Sequence, residues 1–311
     1  MIDEETAFIL GAGASAPYNY PTGERLKNFI CKEFPSKIKG YSNKRDRQKE
    51  IEASHAKRMA KDLKQSGDPS IDSFLDSSPH YNEIGKFAIL CAIYHYEQHT
   101  QYPWDLIDDS KKKDWFTYLW ENMKRDLKGS HGYERLCENK VSFITFNYDR
   151  SLEYFFYTSI TRKYNGTNFT NKMISETIPP IKHIYGKIAD LPWESEKGKE
   201  FTFPTDRYPD RQLVNNIKLI NERTVKDTND INKIITKAKR IFFLGFGYLE
   251  ENMKILNIPE SLRDNPEKKL FGTMLDLDER DQGEISRRIA VRHETKHFPP
   301  VDCAQLLKSF L

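Results

Sequence analysis

Cysteine is scarce in this chain and never paired at short range. Cys31, Cys91, Cys137 and Cys303 are the only four in 311 residues. No two stand at C-x-x-C spacing, so the sequence encodes neither a zinc-holding pair nor a disulfide framework. Scattered thiols of this kind suit a reducing compartment, where they act as small buried hydrophobes. Long apolar runs are missing as well. The longest, Phe87 to Tyr94, falls far short of the roughly 20 residues that cross a bilayer. The opening Met1-Ile2-Asp3-Glu4-Glu5 is acidic and runs straight towards the first apolar run, so no cleavable leader is expected. A cytoplasmic protein with no membrane partner is expected. Net charge is almost absent: 49 basic against 46 acidic residues leave a formal +3, too little to signal nucleic-acid binding by itself. Internal repeats and low-complexity linkers are lacking too.

What the chain has is aromatic bulk, with 19 Phe, 16 Tyr and 4 Trp, enough large side chains to fill a core despite a charged fraction of 31%. Charge is also uneven. Between Lys37 and Lys64 stand ten Lys or Arg against four Asp or Glu. This stretch reads either as a solvated helical face or as a patch for an acidic partner or nucleic acid, and the sequence leaves that open.

Short apolar runs alternate with helical patterns along most of the chain. Strands are expected at about residues 6–10, 141–146, 181–188, 240–244, 271–275 and 291–295. Helices are expected from Thr22 to before Pro35, 151–161, 278–288 and 301–310, with two more between Arg211 and Lys239. From 36 to 140 the pattern is helical without evident strands. The fold class is α/β: a Rossmann-like, doubly wound parallel sheet with a helical insertion at 36–140, in one unit spanning 1–311.

Three strand ends carry small or polar residues. Phe8-Ile9-Leu10 breaks into Gly11-Ala12-Gly13-Ala14-Ser15, a turn whose glycines allow backbone N–H groups to approach a pyrophosphate. Thr145-Phe146-Asn147-Tyr148-Asp149 follows the second strand, and Gly245-Phe246-Gly247 follows a later one. In a doubly wound sheet these ends converge on one cleft. Between them lies Lys182-His183-Ile184-Tyr185-Gly186. Two residues apart on a strand, His183 and Tyr185 share a face, so both could look into that cleft. No histidine pair has spacing that suggests a metal.

In this order the motifs resemble the SIR2-like (sirtuin-related) family, which carries G-A-G-x-S, T-x-N-x-D, a His-plus-Gly element and a late small-residue turn. Two departures matter. The zinc-holding cysteine pairs of the deacetylases are missing, and Pro21-Thr22-Gly23 stands where those enzymes have Gly-Ile-Pro-Asp-Phe-Arg. That pattern is closer to the SIR2-like NADases of bacterial antiphage defence. The resemblance implies a metal-independent NAD glycohydrolase, with NAD as substrate and nicotinamide and ADP-ribose as products. It implies Gly11, Ala12, Gly13, Ser15, Thr22, Tyr185, Gly245 and Gly247 as cofactor-binding residues, and Asn147, His183 and Asp149 as catalytic ones. It also implies a homo-oligomer held inactive until triggered, with a separate partner protein such as a motor ATPase, an argonaute or a phage-protein sensor.

The chemistry of those residue types agrees. Nicotinamide is a good leaving group and the ribose passes through an oxocarbenium-like state, so the protein needs to hold the sugar, stabilise charge and position a water. Asn147 can donate and accept while staying neutral. Asp149 can orient Asn147 or bind ribose, and His183 can take a proton near neutral pH. Plainer roles stay open: Asn147 as a helix cap, and His183 as a structural residue with Tyr185 in the site. So do two other functions of the same cleft, an NAD-dependent protein deacylase or ADP-ribosyltransferase and a non-catalytic NAD or ADP-ribose sensor.

Overall fold

The computed structural model describes residues 1–40, 45–106, 111–127, 132–165, 167–201, 209–222, 224–258, 260–263, 267–275, 277–289 and 296–311. Among them, β1 (Thr6–Leu10), β2 (Val141–Thr145), β3 (Ile181–His183), β4 (Arg240–Leu244), β5 (Lys269–Gly272) and β6 (Lys296–His297) form one sheet in the order β3-β2-β1-β4-β5-β6. Every pairing is parallel. With helices flanking it, the sheet is α/β and Rossmann-like.

The apolar strand runs follow from this topology, since a parallel strand covered on both faces has no solvent side. All of β1 is buried. Its central Phe8 stacks on Phe143 of β2 and Phe242 of β4, each with centroids 5.2 Å apart, and Phe242 stacks on Phe271 of β5 at 4.6 Å. These residues are register partners, so one row of rings crosses four strands and fixes their alignment.

β1 and β2 are neighbours, and the described residues between them form no strand. After the short α1 (Ala12–Ser15), the crossover runs through α2 (Gly23–Lys32), α3 (Phe34–Lys37), α4 (Asp46–Gln65), α5 (Ile71–Ser77) and α6 (Asn82–Glu97), then the helix Trp115–Lys124. Helix α2 starts where Thr22 accepts the Arg25 N–H. Its apolar face packs with α4 and α6. Helix α6 is buried nearly all round, which is why its apolar residues show little one-sidedness.

Two expectations need correction. The strand expected at 181–188 ends at His183, where the chain bends. Between Arg211 and Lys239 the structure has two 3-10 turns, Arg211–Asn216 and Ile220–Glu222, and one α-helix, Val225–Lys237. The helix directly after the Gly11 turn has four residues and passes into a 3-10 turn at Ala16–Tyr18, because Pro17 removes a backbone donor. The strand expected at 291–295 lies outside the described residues. No described helix is long and apolar enough to cross a membrane.

Candidate functional site

The order of the strands reverses at β1, with β2 on one side and β4 on the other, so their carboxyl ends open a crevice. A cavity of about 610 Å³ fills it. Gly11, Ala12, Gly13, Thr22, Asn147, Asp149, Tyr185, Gly245 and Gly247 all line it. The structure therefore brings most of the residues singled out in the sequence to one wall.

The glycines make their close approach to each other's backbone. Gly11 N–H donates to the Leu244 carbonyl and Gly13 N–H to the Gly245 carbonyl, both at 3.0 Å. A Cβ on Gly13 would stand 2.8 Å from Gly245 Cα, and one on Gly245 would stand 2.0 Å from Ala14 N. Gly245 also holds φ at +54°, which disfavours any side chain. The first turn is thus locked onto the turn after β4, and two of the N–H groups expected to face a ligand are occupied. Gly247 differs, since a Cβ there meets open space.

Asn147 sits at the centre. Its Nδ2 donates to the Gly11 carbonyl at 3.0 Å and to Ser15 Oγ at 2.9 Å. Both acceptors consume amide hydrogens, which leaves Oδ1 as the atom without a partner among the described residues. Ser15 also hydrogen-bonds Asp149. Burial pushes the Asp149 carboxyl up, against hydrogen bonds from Ser151 and Ser15. Asp149 accepts the Ser151 N–H at 3.1 Å, so it, not Asn147, serves the start of the helix Ser151–Lys163. Between them, buried Arg150 forms a two-pronged pair with Glu97 at 2.8 and 3.1 Å and donates to the carbonyls of Asp190 and Glu200. That clamp fixes the loop from behind.

His183 and Tyr185 part company because the strand ends between them. Tyr185 lines the cavity and its hydroxyl donates to Asn252 Oδ1 at 2.7 Å. His183 is not on the cavity wall. Its Nδ1 lies 3.0 Å from the Asn147 carbonyl and its Nε2 lies 2.6 Å from Glu153 Oε1. A carbonyl accepts only, so Nδ1 carries a hydrogen. Burial lowers the His183 pKa, yet the Glu153 charge and hydrogen bond outweigh it and hold the ring above its ordinary value. Burial likewise raises Glu153, but His183 and Lys187 bring it down to about 2.

Several lining residues carry no sequence motif, and three of them bear on the chemistry. Asp72, in the first turn of α5, accepts a hydrogen bond from Tyr148, and burial, opposed by that bond, leaves its carboxyl at about 6. Cys303 also lines the cavity, but burial pushes its thiol up to about 12, which removes it as a nucleophile near neutral pH. Lys113 is the one cation on the described wall. Two residues later, Trp115 Nε1 donates to the Ala14 carbonyl at 2.7 Å, and Phe116 N–H donates to Tyr18 Oη at 2.9 Å. The segment bearing Lys113 is thereby pinned to the Gly11 turn. The arginine that follows Pro21-Thr22-Gly23, Arg25, lies over the Tyr96 ring at 5.1 Å and is not on the wall.

Helical periodicity marks Trp115 and Phe116 as core but cannot say which polar neighbour faces a ligand. Among the described residues no cluster of His, Cys, Asp and Glu is placed to hold a metal. No family model matches the chain, and a search of curated proteins returns no match.

Proposed function

We propose that the chain binds NAD in the β1–β4 crevice and hydrolyses its nicotinamide–ribose bond. The observation that carries this reading is Asn147. Its amide nitrogen is immobilised by Gly11 and Ser15, its Oδ1 has no partner among the described residues, and the residue lines a cavity at the switch point of a Rossmann-like sheet. Such a crevice is where these sheets take nucleotides, and its volume suits a small-molecule ligand.

In this reading the C1′–N bond breaks with its electron pair going to nicotinamide. A water oxygen then bonds to C1′ and gives up a proton. Asn147 Oδ1 accepts a hydrogen bond from that water or from a ribose hydroxyl. Of the three carboxylates on the described wall, Asp302 caps the helix Cys303–Phe310 by accepting the Gln305 N–H, and Asp72 and Asp149 are assigned here to stabilise the positive sugar and take the proton. Lys113 supplies charge to the pyrophosphate beside the Gly11 turn. His183 acts through Asn147, because it touches the Asn147 carbonyl and not the cavity.

The test is incubation of the purified protein with NAD, with chromatography of free nicotinamide, repeated with an acylated peptide and with Asn147→Ala. Release by the wild type alone, lost in Asn147→Ala, is the expected result. Release only with peptide would make the protein a deacylase, binding without release a sensor. Absence of both binding and release would overturn the proposal.

A further inference from the structure

A second concavity, of about 560 Å³, lies on the outer side of the helical crossover, between α2, α3 and α4. Five lysines line it: Lys32 at the end of α2, Lys39 after α3, and Lys57, Lys61 and Lys64 on α4. The α4 lysines stand at i, i+4 and i+7, so one face of that helix carries all three. The buried Ala53 and Ala60 beside them let α4 approach α2 and α3 closely, which draws the lysine-bearing faces together.

Most of this charge is not paired among the described residues. Lys39 pairs with Glu50, but Lys32, Lys57, Lys61 and Lys64 have no acidic partner among the described residues. Half-buried Cys31 also lines the groove; burial pushes its thiol up, opposed by the charges of Lys27, Lys64 and Lys32. Elsewhere on these helices lysines do find partners, as Lys37 does with Glu33 at 2.7 Å. Four like charges around a concavity repel one another, and an anion seated among them converts that repulsion into attraction.

We infer that this lysine-lined groove binds a compact polyphosphorylated small molecule. The described wall offers no aromatic ring on which a base could stack and no arginine, the features that single-stranded nucleic-acid channels combine with positive charge. It offers mobile point charges, which suit clustered phosphates of no fixed geometry. The positive run is also interrupted: the exposed Glu33 and Asp62 directly follow Lys32 and Lys61 in the chain, which gives a long nucleic-acid strand no continuous track of positive charge. The groove is separate from the β1–β4 cavity, although α2 reaches both, with Thr22, Gly23 and Leu26 on one and Cys31 and Lys32 on the other. The inference does not depend on what the first cavity binds.

Calorimetric titration with inorganic tripolyphosphate tests it, on the wild type and on the triple variants Lys57→Gln/Lys61→Gln/Lys64→Gln and Lys57→Arg/Lys61→Arg/Lys64→Arg. These positions are exposed and all three residue types sustain a helix, so folding is kept. Tripolyphosphate is expected to bind at least tenfold more tightly than orthophosphate, to lose at least tenfold in the Gln variant and to be retained in the Arg variant. It should also protect Cys31 from alkylation, read by peptide mass. Wild-type affinity in the Gln variant would overturn the assignment and move the anion elsewhere, for example to Lys113. A thymidine 20-mer that binds more tightly than tripolyphosphate, through the same lysines, would overturn it in favour of nucleic acid.

Discussion

His183 Nδ1 lies 3.0 Å from the backbone carbonyl of Asn147, and its Nε2 lies 2.6 Å from Glu153. The ring therefore bridges the loop after β2 to the helix Ser151–Lys163. With side chains only 9% and 5% exposed, His183 and Glu153 form a buried pair whose rupture leaves Glu153 with Lys187 at 3.5 Å as its cation.

His183→Ala is expected to destabilise the fold by about 3 kcal/mol near neutral pH, the usual cost of removing one partner of a buried pair. Chemical denaturation measures it. The pH dependence has a definite sign. Glu153 is held at about 2 against an ordinary 4.5, so its contribution is full above 4.5 and lost as pH falls through about 2. His183 is held above 6.5, so its contribution is full below 6.5 and lost as pH rises through the raised value. The wild type should exceed His183→Ala most between about 4.5 and 6.5. Activity separates the roles. His183→Asn restores a donor near the Asn147 carbonyl, so folded His183→Asn should release more nicotinamide than His183→Ala. Equal inactivity would mean that the imidazole itself takes part in the reaction.

The sequence made the convergence of Gly11, Asn147 and Gly245 legible because each follows an apolar run, and such runs become neighbouring parallel strands. The direction of His183 was not legible, since alternation predicts a shared face with Tyr185 only while the strand continues. What the glycines touch was hidden for another reason. A Gly-rich turn reads the same whether its bare backbone meets a phosphate or a second turn, and here Gly13 meets Gly245. Asp72 and Lys113 were missed because they come from the crossover, where the apolar pattern reports packing and is silent about polar residues at a cavity rim.

Gly245 and Gly247 should respond in opposite ways to alanine. At Gly245 a methyl would stand 2.0 Å from Ala14 N, on a backbone at φ +54°, and the expected loss is about 3 kcal/mol or more. At Gly247 a methyl meets nothing within 4 Å, so the melting temperature should not move. Any loss of NAD affinity in Gly247→Ala then reports the ligand's approach. Unchanged stability in Gly245→Ala would contradict the interlocked turns.

Lys113 offers a test of where phosphate lies. Lys113→Ala should weaken ADP-ribose binding about tenfold or more, as expected for a lost charge-assisted hydrogen bond, and leave adenosine binding unchanged. Lys113→Arg should retain most of the affinity. Calorimetry on all three proteins decides it, and an equal loss for adenosine would show that the substitution disturbs the pocket instead of removing a phosphate contact.

Asp72 predicts the acid limb of the pH profile. Burial raises its carboxyl to about 6 in spite of the hydrogen bond from Tyr148, so the ionised form that can take a proton disappears as pH falls through that value. The rate of nicotinamide release should therefore drop below pH 6 with an apparent pKa near 6. Asp72→Asn keeps the shape and can still accept from Tyr148, but it cannot take a proton. It should lower the rate about a hundredfold and abolish the limb. Tyr148→Phe removes the side-chain hydrogen bond that helps hold the carboxylate ionised, so the limb should move to higher pH. A profile that keeps its limb in Asp72→Asn would assign the titrating group to another carboxyl of the cavity, Asp149 first, whose carboxyl burial also pushes up.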